Sequence, residues 1–396
     1  MQEVSEASGS VQAVAAGRAH LHAEVHRGLA GLERVREEWA DLARGDSRAH
    51  YYHHPGWLLA SLEHLYTATG DPWLFLFRDE AGQLRALIPL VRQAGGEWRA
   101  PRNDQTSYVD LVAADDAMAR EALRLLPRVV GRHGGGRLVF DRVLAGSNLL
   151  VPGGGARVES LPDKRSDWVD LEGGSEAVFA HLGRHFRKEL RRKRRRAEEH
   201  GPLAFRASLA GSATAAEREE AFADFLRLEA GGWKGAHGTG TAIALHPELR
   251  AFYARLLDEF TTEPRWRIHR LFLGEECVAA QLAVECSGTV YLLKIAFDEA
   301  YAGASPGLLA VASLIEALDA EPAVQRLTFV TGNRYQDVWR PRQRAVYRVT
   351  LYTPGLSGRV AWATDGARSG LRRLRAVLAG LRHLRGGNTK EKGAGH

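Results

Sequence analysis

The sequence predicts an α/β protein made of two similar units, each a mixed central sheet flanked by helices. Three observations carry that expectation. Short apolar, strand-like runs take turns with segments whose apolar residues recur at helical spacing. The order of elements around RLVFD (137–141) returns around RLTFV (326–330), as an internal duplication would leave it. Residues 291–309, YLLKIAFDEAYAGASPGLL, read as a strand, a short loop and a helix begun by Ser305-Pro306. Leu308, Val311, Ala312, Ile315 and Leu318 then lie on the buried face. A helix start of this kind can hold a phosphate, and it is equally an ordinary strand-to-helix joint.

Residues 1–20 are acidic, lack a charged-then-apolar signal and read as a disordered leader. A weakly alternating strand is expected over 21–26. One amphipathic helix is expected over 29–42, with Leu32, Val35, Trp39 and Leu42 on a single face. Tyr51-Tyr52-His53-His54-Pro55 precedes a helix over 56–66; no second ligand pair joins the two histidines, so no metal is expected. Strands 73–77 and 84–91 form a hairpin about the turn at 79–82. An extended segment through 108–112, a helix over 117–130 and the strand 137–141 follow. The glycine-rich stretch 146–155 lacks the Lys-Ser/Thr ending of a phosphate loop and reads as the link between units. The expected divisions are a first unit over 21–165, a second over 166–352 and a basic helical tail over 353–396.

The 396 residues suffice for two or three domains. The net charge is +6 and the pI about 9.4, which favours an anionic partner: nucleic acid, an anionic cofactor or a membrane surface. Cys277 and Cys286 fall in one predicted strand, roughly 30 Å apart at strand rise and beyond disulfide reach. They read as reduced thiols, and the expected setting is cytoplasmic. No apolar run is long enough for a membrane span.

The second half carries the unusual composition. Residues 184–196 are RHFRKELRRKRRR, with Glu189 the only acid. Phe179, Leu182, Phe186 and Leu190 give a partial apolar stripe, so this is a helix docked at its start and basic on its free face. That face is either solvated or meets a nucleic-acid backbone or an anionic cofactor or substrate. Arg187 and Arg191, four apart on one face, suit a bidentate phosphate clamp. Strands are expected at 203–209, 266–273, 277–286 and 290–297, and helices at 216–229 and from 247 to 260. Residues 371–384 read as a basic amphipathic helix that docks on the protein or lies on an anionic inner-membrane surface.

The order and spacing of HFRKELRRKRRR, a helix ending before GGWKG, a hairpin, YLLKIAFDEAYAGASPG and GNRYQDVW resemble the acetyltransferase-like domain of the CelD cellulose-biosynthesis type. That group belongs to the GNAT superfamily and is related to the FemAB aminoacyltransferases, which pair two GNAT units in one chain. The resemblance covers about 170–352. PGWL (55–58) and the strand ending IPL (88–90) make the first half resemble a degenerate partner unit. The resemblance implies two tandem GNAT-like units. It also implies direct transfer of an acyl group, acetyl in the first instance, from acyl-CoA to an amine or hydroxyl. The acceptor would be a small molecule, a sugar or a cell-envelope precursor. Two other readings stand beside it: FemAB-like transfer from aminoacyl-tRNA, and a non-catalytic nucleic-acid or assembly-binding protein on the same fold.

In GNAT folds the main helix start takes the carrier's pyrophosphate, which here implies Gly303, Ser305 and Gly307, with Arg187 and Arg191 as further anion partners. Ala300 and Ser305 depart from the usual glycine-loop pattern and leave the carrier open between coenzyme A and aminoacyl-tRNA. Asp298, at the end of a core strand, is the candidate base or substrate anchor, or else a turn cap. Lys294 sits mid-strand among apolar residues and needs a partner: Asp298 on the same strand face, or an anionic ligand. Tyr335 follows the last core strand, where GNAT enzymes often place a tyrosine that protonates the departing thiolate. Trp233, Lys234 and Trp339 are candidate substrate contacts, the two tryptophans as pocket walls or core. No Ser-His-Asp or Cys-centred set stands out, so no acyl-enzyme is expected.

Overall fold

The structure is a computed structural model that describes residues 20–66, 72–152, 155–208, 214–368 and 370. The expected leader, apart from its last residue, and the expected tail helix over 371–384 lie outside the described residues.

The first half runs β1 (His22–Arg27), α1 (Gly28–Arg34), α2 (Arg36–Gly45), α3 (Pro55–His64), β2 (Trp73–Arg78), β3 (Leu84–Arg92), β4 (Trp98–Arg99), β5 (Val112–Ala113), α4 (Asp116–Gly131), β6 (Arg137–Leu144) and β7 (Arg157–Asp170). The second half runs α5 (Gly174–Glu198), β8 (Leu203–Arg206), α6 (Ala215–Gly231), α7 (Pro247–Glu259), β9 (Arg265–Leu273), β10 (Glu276–Cys286), β11 (Thr289–Phe297), α8 (Pro306–Ala317), β12 (Arg326–Thr328) and β13 (Arg342–Tyr352). All strands join one mixed sheet in the order β1-β2-β3-β4-β6-β13-β7-β12-β11-β10-β9-β8, with β5 on β3.

That order exposes the duplication. Among the described residues each half has one parallel contact, β4 with β6 and β11 with β12, on either side of a helix in the chain. RLVFD opens β6 and RLTFV covers β12, so the two short matches occupy equivalent strands. The last strand of each half is exchanged: β13 pairs with β6, β7 pairs with β12, and β7 and β13 pair with each other. The units are thus tied through the backbone. Tyr108 adds a tie, its hydroxyl donating to the carbonyls of Val330 (2.8 Å) and Arg165 (3.1 Å).

Strand β10, ECVAAQLAVEC, is apolar on both faces because both are covered. One face packs with α6 and α7 around Phe225, Phe252 and Leu256, and the other with α5 and α8 around Leu309, Leu314 and Leu190. Helices begin where the chain supplies caps. Thr214 and Glu217 form a capping box at α6, Asp115 accepts the Met118 N–H at α4, and α3, α7 and α8 start on proline. Arg267 of β9 is fully buried, and Glu285 and Glu321 both bond it.

Three features differ from the sequence expectation. The helix expected over 29–42 is two helices broken at Val35. Strand β7, RVESLPDKRSDWVD, was not foreseen, because its charged first half has no apolar alternation and is held by backbone pairing to β13. The expected division at 165/166 falls inside it. The basic helix is longer than its arginine run and breaks at Gly183 (φ 86°, ψ 170°), a conformation that suits glycine.

Both cysteines are unpaired and buried, and burial pushes each thiol up to about 12. Among the described residues no helix is long and apolar enough to cross a membrane. The described residues contain no group of three or more His, Cys, Asp or Glu arranged to hold a metal ion.

Candidate functional site

Strands β11 and β12 run together only from Thr289 beside Arg326 to Tyr291 beside Thr328. Then they part. Val330 turns through a left-handed conformation (φ 61°), and the chain is drawn toward β7 by Phe329 N–H to Asp167 (3.0 Å) and Gly332 N–H to Arg165 (3.0 Å). On its other edge β11 stays on β10 as far as Phe297 beside Ala279. In that ladder Lys294 faces Leu282 and Leu292 faces Ala283, so Leu293 is an extra residue, a bulge. Past Tyr291, the β12-side edge of β11 therefore has no strand beside it among the described residues. Val290, Leu292, Ile295 and Phe297 join the α8 core, whereas Tyr291, Leu293 and Ala296 join the α6/α7 core.

At the end of β11 the Asp298 carboxylate accepts the Ala300 N–H (2.9 Å) and turns the chain into a short 3-10 helix, Glu299–Ala304. Ser305 is left-handed (φ 58°), and its side chain does not cap α8. Its carbonyl takes the N–H groups of Leu308 (3.0 Å) and Leu309 (3.1 Å), and Pro306 has none. Gly307 carries the remaining N–H of the first turn and packs α8 closely on the Phe297 ring. Two cations of α5 border this helix start. Lys193 Nζ donates to the Gly303 carbonyl (3.1 Å), and the Arg196 guanidinium sits 2.9 Å from where a Cβ on residue 303 would stand. Positive helix end, ammonium and guanidinium together make an anion cradle.

The expected site residues divide into groups. Gly303, Ser305 and Gly307 lie at this cradle. Arg187 and Arg191 do not. They share a face with Arg194, which grips Glu316 through both carboxylate oxygens (3.0 and 2.8 Å), and the three line a shallow groove of about 190 Å³. The i, i+3 pair Lys193 and Arg196 occupies the face that meets the loop. Tyr335 is 66 % exposed, its hydroxyl accepting from Gln336 (3.1 Å). Trp339 is only 4 % exposed and packs edge-on against Phe186, as core. Trp233 is 57 % exposed, and its backbone N–H donates to Glu299 (2.7 Å).

Lys294 makes no ion pair with Asp298. Among the described residues it has no carboxylate within 4 Å; its ammonium lies 5.9 Å from the Tyr253 ring centre. Burial lowers its pKa, Glu229 opposes that shift, and Lys234 adds to it. Glu229 was not foreseen. It is 2 % exposed, accepts from Lys234 Nζ (3.0 Å) and from the Ile243 N–H (2.8 Å), and so staples the loop that carries Trp233 and Lys234. Its one sequence signal is a single acid on the last turn of a helix, two residues before Gly231-Gly232. Lys193 and Arg196 stood inside a run of bases where nothing set them apart.

Residues 184–337 match the family model of the acetyltransferase (GNAT) domain. The matched GNAT segment runs from the basic half of α5 into the 3-10 turn that bears Tyr335, and so contains every candidate residue named above except Trp339. No curated protein has a sequence that matches this chain. Among solved structures, FemX is similar at 8 % identity with a TM-score of 0.54, over 83 % of this chain and 98 % of that one. The C-terminal domain of an Agrobacterium fabrum protein assigned as a lysylphosphatidylglycerol synthetase is similar at 13 % identity with a TM-score of 0.52, over 85 % and 96 %. A conserved protein of unknown function from Bacteroides thetaiotaomicron gives 12 %, 0.50, 82 % and 97 %. These likenesses are of fold. With the large mixed sheet flanked by helices, they give the chain the overall fold of tandem GNAT-like proteins, and residues 184–337 carry the matched GNAT domain.

Proposed function

We propose that the protein is an acyltransferase that moves an acyl group from acyl-CoA to an amine or hydroxyl by direct transfer, in the manner of the CelD group. The observation that carries this is the parting of β11 from β12 beyond Tyr291, with a bulge at Leu293 and a cationic helix start beyond it. An extended acyl carrier can hydrogen-bond to the free edge of β11, and its phosphates suit the Gly307 N–H, Lys193 and Arg196. Lys294, next to the bulge and with no carboxylate within 4 Å among the described residues, would offer its charge to the carbonyl oxygen as the tetrahedral centre forms. Proximity supplies much of the remaining rate. Asp298 stays a candidate anchor for the acceptor, although its carboxylate already caps a turn, and Tyr335 a candidate donor to the leaving thiolate. Trp233 and Lys234, on the loop stapled by Glu229, are candidate substrate contacts.

The test is calorimetric and thermal-shift titration with acetyl-CoA and longer acyl-CoAs at two salt concentrations. Binding to the native state must raise the midpoint. Lys193→Ala with Arg196→Ala is expected to weaken acyl-CoA binding about tenfold or more, since hydrogen bonds to charged groups are worth roughly 1.5–3 kcal/mol. Gly303→Leu is expected to displace Arg196 and weaken binding in the same direction. An acyl-CoA that binds nowhere would overturn this reading. The basic face of α5 favours one second reading, an aminoacyl-tRNA donor; binding of bulk tRNA that falls steeply with salt, without acyl-CoA binding, would replace the first with the second.

A further inference from the structure

A second cavity, of about 230 Å³, lies between the two units on the face of the sheet away from α8. One water needs roughly 10–15 Å³ of such space, so there is room here for a small polar molecule. Its floor is made by β7, β11, β12 and β13, with Ser166, Trp168, Thr289, Tyr291, Thr328 and Arg344. The first unit closes it with residues 47–50, Tyr52, 108–110 and 144–147.

The charge around this cavity is one-sided. Arg326, Arg344 and Arg48 border it, and among the described residues Asp110 is the only acid that lines it. Asp110 faces its own loop, where it accepts the N–H groups of Leu111, Asn148 and Leu149 at 2.8–2.9 Å. Arg48 is engaged by Asp116 and Asn148. Arg326 and Arg344 have no carboxylate within 4 Å among the described residues; Arg344 rests over the Trp168 ring at 5.3 Å. Both arginines disfavour a charge on His50, which burial and these two cations together hold neutral, at about 3. The neutral His50 ring is bonded to the Tyr291 hydroxyl at the point where β11 and β12 begin to part. Two unneutralised guanidinium groups facing a cavity ringed by hydroxyls call for a compact dianion.

We propose that this inter-unit cavity binds a small phosphorylated molecule, with Arg326 and Arg344 as the partners of its phosphate. As a binding site it stands on this geometry alone. That the bound molecule is the acyl acceptor rests on the transferase reading above: its free hydroxyl or amine would then reach the parting of β11 and β12 from the face opposite the carrier.

The experiment is calorimetry on the full chain with glucose 6-phosphate, glycerol 3-phosphate and inorganic phosphate, and with gluconate as a carboxylate of similar size. At least one phosphorylated probe is expected to bind the wild type better than gluconate. Arg326→Gln with Arg344→Gln should weaken it about tenfold or more, while Arg128→Gln with Arg250→Gln, the same charge change at exposed helix positions, should not. Arg326 is itself exposed, so the single Arg326→Gln keeps the test valid if the double variant fails to fold. Absence of phosphate-probe binding, equal binding of gluconate, or equal loss in the two double variants would overturn the site. Acetyl-CoA titrated into the same variants reads the transferase site separately. Its failure with retained phosphate binding would sink the acyl-CoA reading and leave this one standing.

Discussion

Lys294→Met is expected to raise the melting temperature by about 1–2 °C and to lower acyl transfer about 100-fold. The two effects share one cause. Lys294 is partly buried between the bulge and the Tyr253 ring, and among the described residues no carboxylate within 4 Å balances it. A charge so placed costs stability. Methionine keeps the length and fills the space without that cost, and in a chain of this size one kcal/mol moves the midpoint by a few degrees at most. The expected rate loss is the size seen when one preorganised donor to a developing oxyanion is removed. The pH dependence follows from the direction of the shift. The folded pKa of Lys294 lies below its ordinary 10.5. Between the lowered value and 10.5 the unfolded chain binds more protons than the folded one, so stability rises with pH through that window. Below it the penalty is fully present. Melting curves of both proteins from neutral pH to about 10.5 should therefore converge as the pH rises. A Lys294→Met protein that melts lower at every pH would make Lys294 a structural residue, and one that turns over at the wild-type rate would remove it from the mechanism.

Legibility in the sequence followed local chemistry. The strand-loop-helix at 291–309 was readable because β11 is an apolar run, Pro306 starts a helix and α8 keeps helical spacing. The basic helix was readable from its composition, and the duplication from RLVFD and RLTFV. What escaped depends on pairings distant in sequence. The exchange of β7 and β13 cannot be seen locally: the first half of β7 is charged, and only its partner across the pseudo-symmetric centre makes it a strand. The basic run could not say which cations face the loop, because helix rotation is set by the break at Gly183 and by the docking of Phe186 and Leu190. Arg187 and Arg191 are as well spaced as Lys193 and Arg196, yet only the second pair reaches Gly303. The cavity residues Arg326 and Arg344 come from β12 and β13, and the strand between these two in the sheet, β7, belongs to the other half of the chain. The bulge at Leu293 is a register fact, written in the pairing of β11 with β10 and not in either strand alone.

Glu229 joins stability to the site, and its two simplest replacements should separate those roles. Glu229→Ala removes a buried carboxylate that holds Lys234 Nζ and the Ile243 N–H. Both donors are left behind in a site where the acid is 2 % exposed. Removing one partner of a buried pair costs about 3–5 kcal/mol, to be read by urea titration as a lower midpoint with an unchanged slope. Glu229→Gln keeps an acceptor for Ile243 and loses the charge, so the fold should survive with a smaller loss. Its functional effect should be distinct. Glu229 supports the protonated form of Lys294, so neutralising it lowers the Lys294 pKa further. If the cationic Lys294 is the form that serves transfer, the alkaline limb of the pH–rate profile moves to lower pH in Glu229→Gln. In Lys294→Met that limb should vanish. The double variant should then behave as Lys294→Met alone, because the charge that Glu229 supported is no longer there. A Glu229→Gln profile that loses height without moving along the pH axis would confine Glu229 to stapling the Trp233–Lys234 loop.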